Sequence, residues 1–208
     1  MTTPVRVAAT WPATEALGPG LRAAVWVQGC PFRCRGCVAP EWIPKRGGRL
    51  VDPEELAEEL LTDPAVTGLT LSGGEPMAQA TGLAATVRAA RARRELDVIC
   101  FTGFTLDRLR ADPAAHELLA ELDVLIDGQY VRDRDDGLGL RGSDNQVVHH
   151  LTGRLADTGF DFETGPRTAD LVLTDQRLTL IGVPPTGVLD MARDFVTAHR
   201  DRGGKDEI

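Results

Sequence analysis

The sequence lacks three features that would each point to a particular class of protein. Only four of its 208 residues are cysteines, and three of them lie close together, which argues against a framework of disulfides. The formal net charge is −8 with no basic stripe, so a nucleic-acid partner is not expected. No stretch approaches the roughly 20 apolar residues of a membrane-spanning helix, and the first residues predict no signal peptide. These absences favour a cytoplasmic protein with no membrane association.

What is present predicts an α/β fold. Hydrophobic residues make up 42% of the chain, enough for a core. Strand-like and helix-like stretches alternate, which indicates parallel βαβ units in a mostly parallel sheet. The strand-like stretches are 21–28, 67–71, 96–102 and 124–127, preceded by a short one at 5–9; the helix-like stretches are 52–61, 77–94 and 106–122, the last of them interrupted at Asp112-Pro113. Four or five such units suit a partial (β/α) barrel better than a closed eightfold one, which typically needs about 250 residues.

The chain divides into a core and a small C-terminal extension. Residues 1–150 hold all the motifs discussed below and form the predicted core. Residues 151–208 form an extension packed on it, with strands and turns over 157–183 and a final helix over 188–200. No function is assigned to the extension, although extra strands and a helix could cover the open edge of the barrel.

Polar motifs follow each predicted parallel strand. The tripeptide Gln28-Gly29-Cys30 follows the first strand, and Ser72-Gly73-Gly74-Glu75-Pro76 follows the second. A Thr-Gly pair at 102–103 and an Asp-Gly pair at 127–128 follow the third and fourth. Because chemistry in such sheets sits at the carboxyl ends of the strands, we expect these motifs to share one site.

The cysteine motif predicts an iron–sulfur cluster. Cys30, Cys34 and Cys37 have the spacing C-x3-C-x2-C. Three thiolates on one loop can bind three irons of a 4Fe-4S cubane, which leaves the fourth iron free to bind a substrate. Structural zinc is the alternative, because His149 or His150 could complete the four closed ligands that zinc takes.

The Ser-Gly-Gly-Glu-Pro motif indicates a ligand site beside the cysteines. Glycines at a strand end let a ligand approach the backbone closely. Free backbone groups and the Glu75 carboxylate could hold an ammonium group. Alone, the motif also fits a plain turn between a strand and a helix, but an upstream cysteine triplet makes the functional interpretation the stronger one.

Taken together, the motifs resemble those of the radical S-adenosylmethionine (SAM) superfamily. Within it, the sequence is similar to the small activating enzymes of glycyl radical enzymes, including the anaerobic ribonucleotide reductase activases. The matching stretches are 18–22, 25–30, 72–76, 101–104, 123–128 and 141–146, in the order of the family. Their co-occurrence is far more specific than any single motif.

The resemblance implies two cofactors and a set of site residues. A 4Fe-4S cluster is ligated by Cys30, Cys34 and Cys37, and SAM chelates its free iron. One electron then breaks a carbon–sulfur bond of SAM to give a 5′-deoxyadenosyl radical, while the protein positions the cofactors. The residues implied around SAM are Gly36, Val38, Gly73, Gly74 and Glu75, with Thr102 and Asp127 as polar groups near the cofactor and, in some relatives, around a monovalent cation.

Several residues depart from the common pattern or are given a structural role. Many superfamily members have an aromatic residue before the third cysteine, whereas this chain has Gly36, so adenine must pack elsewhere, with Phe101 or Phe104 as candidates.

Cys100 is expected in the core. The pair His149-His150 is expected in a loop. Trp26 and Trp42 are expected to pack the cysteine loop.

The expected substrate is a protein. The chain is short and has no separate substrate domain, so a macromolecule could close the open barrel, and the resemblance implies a glycyl radical enzyme. The loop at residues 130–146 should overhang the barrel mouth, with Arg141 and Asn145 as partner-binding residues. A flavodoxin- or ferredoxin-type electron donor is implied as well. The alternatives are a radical SAM enzyme acting on a peptide or small metabolite, and a non-catalytic iron–sulfur or zinc module.

Overall fold

The centre of the fold is a mixed sheet. The computed structural model describes residues 3–174, 177–185, 187–189, 191–192 and 194–195, and seven strands of this part form the sheet in the order β3-β1-β2-β4-β5-β6-β7. The strands are β1 (Val5–Thr14), β2 (Arg22–Val27), β3 (Arg49–Val51), β4 (Gly68–Gly73), β5 (Asp97–Phe101), β6 (Val124–Asp127) and β7 (Val147–His150). The described sheet is open, with β3 and β7 at its edges.

The parallel part of the sheet agrees with the sequence prediction. Strands β2, β4, β5 and β6 are neighbours in that order, and each pairs with the next in parallel. The antiparallel strands β1, β3 and β7 flank this part. The α-helices are α1 (Pro53–Leu60), α2 (Ala80–Arg93), α3 (Leu106–Arg110) and α4 (His116–Leu119). Among the described residues, no helix is long and apolar enough to cross a membrane.

Local sequence explains where the helices begin and break. Helix α1 begins after Asp52, whose carboxylate accepts a hydrogen bond from the amide of Glu54 (3.0 Å), with Pro53 in the first position. The predicted helix 106–122 is interrupted where expected, because Asp112 and Pro113 start a 3-10 turn between α3 and α4. The predicted helix 77–94 begins as a 3-10 turn (Pro76–Gln79) before α2.

The two faces of the sheet pack against different parts of the chain. Because side chains alternate along a strand, Val98 and Cys100 of β5 point into the main core with α1 and α2, whereas Ile99 points into a second cluster. That second cluster includes Leu155 and Phe162 of the extension. Cys100 is fully buried, as predicted.

Two strands of the sheet were not predicted from the sequence, and a third is longer than predicted. Strand β3 has three residues, and β7 has no apolar alternation, so neither carries a strand signal. The prediction of a loop at His149-His150 is wrong, because both residues pair with β6 as part of the edge strand β7. The predicted strand at residues 5–9 extends to Thr14, held by its pairing with β2.

The C-terminal extension adds a small sheet of its own. Strands β8 (Ala169–Thr174) and β9 (Arg177–Gly182) form an antiparallel pair. Ile181 packs against Leu17 and Ala24 of the core, and Thr14 donates to Asp170 across the same contact (2.6 Å). Residues 157–168, expected to contain strands, form turns and irregular chain. Of the predicted helix at 188–200, the described residues 188–189, 191–192 and 194–195 are helical, and the others lie outside the described residues.

A buried arginine joins three strands at the end of the sheet opposite the polar motifs. Arg22 at the start of β2 donates to Thr70 Oγ1 (2.8 Å) and the carbonyl of Leu69 (2.7 Å) in β4, and forms an ion pair with Asp97 of β5. Its side chain has no exposed surface. Burial lowers the pKa of the Arg22 guanidinium, and the carboxylate of Asp97 opposes this effect. The pairing matters because a buried charge without a partner is costly.

We expect Arg22→Met to lower the free energy of unfolding by about 3–5 kcal/mol, because it removes one partner of a buried pair. Arg88→Ala is the control, since Arg88 is 48% exposed and its ion pairs with Glu117 and Glu121 lie at the surface. That variant should change stability by at most about 1 kcal/mol. Urea unfolding of the apo-proteins measures both, and equal losses would contradict the assigned role of Arg22.

Candidate cofactor site

The polar motifs meet at the carboxyl ends of the parallel strands, around a cavity of about 580 Å³. The loops that follow β2, β4, β5 and β6 all contribute to its lining. This volume lies within the range of about 300–1,000 Å³ that is typical of small-molecule and cofactor sites. The expectation that these motifs share one site at the carboxyl ends of the strands is confirmed.

The three clustered cysteines line this cavity. The cysteine loop is anchored by the amides of Gly29 and Cys30, which donate to the carbonyls of Trp42 (2.8 Å) and Ile43 (3.0 Å). The rings of Trp26 and Trp42 lie 5.9 Å apart beside it, consistent with their predicted packing role. A backbone hydrogen bond from the amide of Cys37 to the carbonyl of Cys34 (3.2 Å) closes the loop.

Two of the three thiols hold their protons more tightly than a free cysteine. Burial raises the pKa of Cys30 to about 11, and Glu75, Cys34 and Cys37 raise it further by repulsion. Burial also raises the pKa of Cys34, with repulsion from Cys37 as the next cause. Thiolates are the metal-binding form, so metal binding here displaces protons and relieves the repulsion.

The geometry gives no support to a closed zinc site. The proposed fourth zinc ligands are engaged elsewhere, since His149 Nε2 lies 2.9 Å from Asp127 Oδ2 and the ring of His150 packs edge-on against Phe162. Within the described part of the chain, no three Cys, His, Asp or Glu side chains are grouped to hold a single metal ion. A cubane does not require the three thiolates to converge on one ion, because each thiolate binds a different iron.

The two glycines of the Ser-Gly-Gly-Glu-Pro motif are required by backbone packing. The amide of Gly74 donates to the carbonyl of Val27 (2.7 Å), and the amide of Glu75 donates to the carbonyl of Gly29 (2.9 Å). A Cβ atom on Gly74 would lie 2.4 Å from the carbonyl oxygen of Gly29, and Gly73 has a φ of +102°. Both glycines line the cavity, but their first effect is to seat this turn against the segment that leads to Cys30.

Glu75 joins two of the loops. Its carboxylate accepts hydrogen bonds from the amide of Met77 (2.9 Å), the hydroxyl of Thr102 (2.8 Å) and the amide of Gly103 (2.8 Å). Glu75 is only 1% exposed, and burial raises its pKa although these three hydrogen bonds oppose the rise. A carboxylate has about four acceptor positions, so about one is left for a ligand.

Asp127 has a different environment from the other predicted cofactor residues. It lies outside the cavity lining that the structure describes. Its Oδ2 accepts from the amide of Leu106 (2.6 Å) at the first residue of α3 and contacts His149. Asp127 therefore positions α3, whereas Gly36, Val38 and Thr102 line the cavity directly.

The two phenylalanines considered for adenine differ in position. Phe101 lines the cavity at the end of β5. Phe104 instead packs edge-on against Phe32, with ring centroids 4.8 Å apart, and lies beneath the guanidinium of Arg108. Phe101 is therefore the better placed of the two for packing against a ligand.

The predicted partner residues make bonds within their own loop. Arg141 pairs with Asp136 (3.0 Å) and donates to the carbonyl of Asp144 (3.3 Å). The side chain of Asn145 donates to the carbonyl of Gln129 (2.8 Å). Arg141 Nε and Asn145 Oδ1 are buried without a hydrogen-bond partner among the described residues. The contacts seen are those of a shaped loop.

Several residues of the cavity lining were missed by the sequence analysis. Gln129 and Tyr130 follow the Asp-Gly pair, and their place directly after a parallel strand could have indicated them. Arg167, Val183 and Pro184 come from the extension, and no motif marks them. Only the folded chain brings the extension to the cavity.

Comparison with known proteins identifies the family of this chain. The family described as the 4Fe-4S single cluster domain matches residues 16–149. The anaerobic ribonucleoside-triphosphate reductase-activating protein of Vibrio cholerae is 36% identical over 152 residues, which cover 68% of this chain and 96% of that protein. The protein of the same name from Escherichia coli K12 is 34% identical over 151 residues (68% and 96%), and that of phage T4 is 32% identical over 144 residues (65% and 88%).

These matches cover the cysteine loop, the Ser-Gly-Gly-Glu-Pro turn and the loops after β5 and β6. The three thiols and the two glycines on one cavity wall fit the cofactors of that family. The chain therefore belongs to the 4Fe-4S single cluster family, together with the reductase-activating proteins, and it is a radical SAM enzyme whose cofactors are a 4Fe-4S cluster and S-adenosylmethionine.

Proposed function

We propose that this chain activates an anaerobic ribonucleotide reductase or a closely related glycyl radical enzyme. The observation that carries the proposal is the meeting of three cavity-lining thiols with the Ser-Gly-Gly-Glu-Pro turn in one site. The named substrates of the relatives support it, because this chain aligns with 95–96% of the length of the bacterial ones. We place the reaction in the cytoplasm, with a flavodoxin- or ferredoxin-type protein as electron donor.

The architecture proposed for this site is a partial (β/α) barrel of the radical SAM type. Four parallel strands in linear order and helices packed on one face of them support this interpretation. Residues 1–150 form the core in this scheme, and residues 151–208 form the extension packed on it. The face of the sheet away from the helices is then the inner face of the barrel, which holds the cavity.

We assign the cluster to Cys30, Cys34 and Cys37. When bound, the reduced cluster and SAM supply a 5′-deoxyadenosyl radical that takes a hydrogen atom from the substrate. The protein contributes position and exclusion of water: Gly73 and Gly74 admit SAM near the backbone, and Glu75 fixes Thr102 and Gly103. Gly36 and Val38 line the same cavity, and Phe101 offers an apolar surface on which adenine can pack. Asp127 lies outside the cavity lining and contributes by holding the start of α3.

The protein partner is proposed to dock at the mouth of the cavity, where the loop at residues 130–146 lies. Arg141 and Asn145 are proposed to contact it. Each carries a buried polar atom without a partner in the described chain, Nε in Arg141 and Oδ1 in Asn145. Both residues are partly exposed, so a docked backbone can reach their side chains, although not these two buried atoms.

We expect Cys30→Ala, Cys34→Ala and Cys37→Ala each to abolish the stable 4Fe-4S cluster, because two thiolates hold a cubane poorly. Anaerobically reconstituted protein should contain about four irons per chain and show a reduced-state EPR signal that SAM alters. Cys100→Ala is the matched control and should keep the iron, since Cys100 is buried in the core away from the cavity. Iron loss in the control but retention in Cys37→Ala would overturn the assignment.

Glu75→Ala and Gly74→Val should separate the effect of this turn on SAM binding from its effect on cluster retention. We expect Glu75→Ala to weaken SAM binding by roughly tenfold, the effect of losing about 1.4 kcal/mol, while the iron content stays near that of the wild type. Gly74→Val should lose iron as well as SAM, because its Cβ would collide with the carbonyl of Gly29 next to Cys30. Iron analysis and equilibrium SAM binding measure both. Full cluster content in Gly74→Val would show that the cysteine loop does not depend on this contact.

For the partner, Arg141→Ala and Asn145→Ala should slow partner modification while uncoupled SAM cleavage changes little. Arg110→Ala is the control, since Arg110 is an exposed residue of α3. Glycyl radical yield, 5′-deoxyadenosine release and melting temperature are measured on one preparation. A parallel fall of all three in the Arg141 and Asn145 variants would assign both residues to the structure of the loop instead.

A further inference from the structure

Arg167 is a residue of the extension that lines the cofactor cavity. Its side chain is only 2% exposed. A guanidinium has five N–H donors in a rigid planar fork, and the structure shows five hydrogen bonds from them. Nε donates to the carbonyl of Leu138 (3.4 Å), Nη1 to Asp135 Oδ1 (2.8 Å) and the carbonyl of Pro184 (3.5 Å), and Nη2 to the carbonyls of Arg141 (2.8 Å) and Gly142 (3.2 Å).

The extension also lies directly against the backbone of the loop at residues 130–146, which carries most of these acceptors. The amide of Gly139 donates to the carbonyl of Gly165 (2.7 Å), and the amide of Leu140 donates to the carbonyl of Phe162 (2.8 Å). A Cβ atom on Gly139 would lie 2.3 Å from the carbonyl oxygen of Phe162, and its φ is +64°. The loop is therefore shaped to receive the extension, with Arg167 at the centre of the contact.

The other end of this loop contacts the cysteine loop. Cys34 Sγ lies 4.0 Å from Gln129 Oε1, and a backbone hydrogen bond from Tyr130 also reaches Cys34. The hydroxyl of Tyr130 donates to Asp135 (3.1 Å), the carboxylate that Arg167 binds. A short chain of contacts thus runs from Arg167 through Asp135 and Tyr130 to Cys34.

Charge neutralisation alone does not explain this arrangement. Arg167 lies 2.8 Å from Asp135 and 3.8 Å from Asp136, but four of its five hydrogen bonds go to uncharged backbone carbonyls. Lysine could neutralise Asp135 but has only three donors and no planar fork. The bonding pattern is that of a residue that fixes backbone position.

We propose that Arg167 is a positioning residue of the cofactor site. It holds residues 129–142 against the cysteine loop and joins them to residues 182–185, so that core and extension form one cavity wall. The family match ends at residue 149, which leaves Arg167 and the residues it brings from the extension outside the matched region. The proposal rests on the proposed function, since Cys34 is there a cluster ligand.

The test compares Arg167→Met, Arg167→Lys and Asp135→Asn with the wild type. Arg154→Met is the matched control, because Arg154 is an extension residue whose side chain is 48% exposed and pairs with Glu95 at 2.8 Å. Two readouts are used: hydrogen exchange of amides 129–142 in the apo-protein, and, in reconstituted protein, SAM affinity with the EPR spectrum of the reduced cluster. Neither readout depends on turnover.

We expect Arg167→Met to speed amide exchange in the loop and to weaken SAM binding by roughly tenfold, the effect of losing about 1.4 kcal/mol. The EPR change on SAM addition should differ from that of the wild type, while the iron content is retained. Arg167→Lys should not restore the wild-type values, and Arg154→Met should match them.

The proposal would be overturned if Arg167→Met kept the amide exchange, the SAM affinity and the EPR spectrum of the wild type. Full rescue by Arg167→Lys would overturn it as well. If Arg167→Met does not fold, Asp135→Asn decides, since unchanged loop exchange in that variant would also overturn it. Failure of the wild type to take up a cluster would instead refute the proposed function, and loop exchange in the apo-protein would still test the role of Arg167.

Discussion

The site depends on one close approach between two backbone segments. The turn after β4 lies so near the segment after β2 that its amides bond to the carbonyls of Val27 and Gly29, and only glycine fits at position 74. The cysteine loop starts at that segment. The position of the thiols is therefore determined by packing between main chains, which is more rigid than packing between side chains. Glu75 extends this link to the loop after β5 through two hydrogen bonds, from Thr102 and Gly103.

This arrangement changes how the Ser-Gly-Gly-Glu-Pro motif is understood. From the sequence, its glycines and carboxylate were expected to contact a ligand. In the fold they first hold the cavity together: Gly74 seats the cysteine segment, and Glu75 is occupied by Met77, Thr102 and Gly103. Residues of this kind maintain the shape of the fold around the cavity. The same holds for Asp127, which supports the start of α3 from outside the described cavity lining.

The sequence was informative where local signals and function coincide. The four parallel strands, the cap of α1 and the break at Pro113 follow from periodicity and from capping or proline chemistry, and the cysteine spacing marks a loop whose three thiols line the cavity. It was uninformative where tertiary contacts decide. Strand β7 forms because β6 offers an open edge, although Val147–His150 has no alternation of its own. Arg167 has no sequence signal either, because its five acceptors come together only in the fold.

The contact between the extension and the loop has a consequence for how such a chain can change over time. Deleting residues 151–208 would expose the carbonyls that Arg167 satisfies and would leave Asp135 without its buried counter-charge. It would also leave Gly139 as a conformationally loose residue in a loop that no longer needs it. The extension therefore cannot be lost from this chain without also changing the part of the cavity wall that the core contributes.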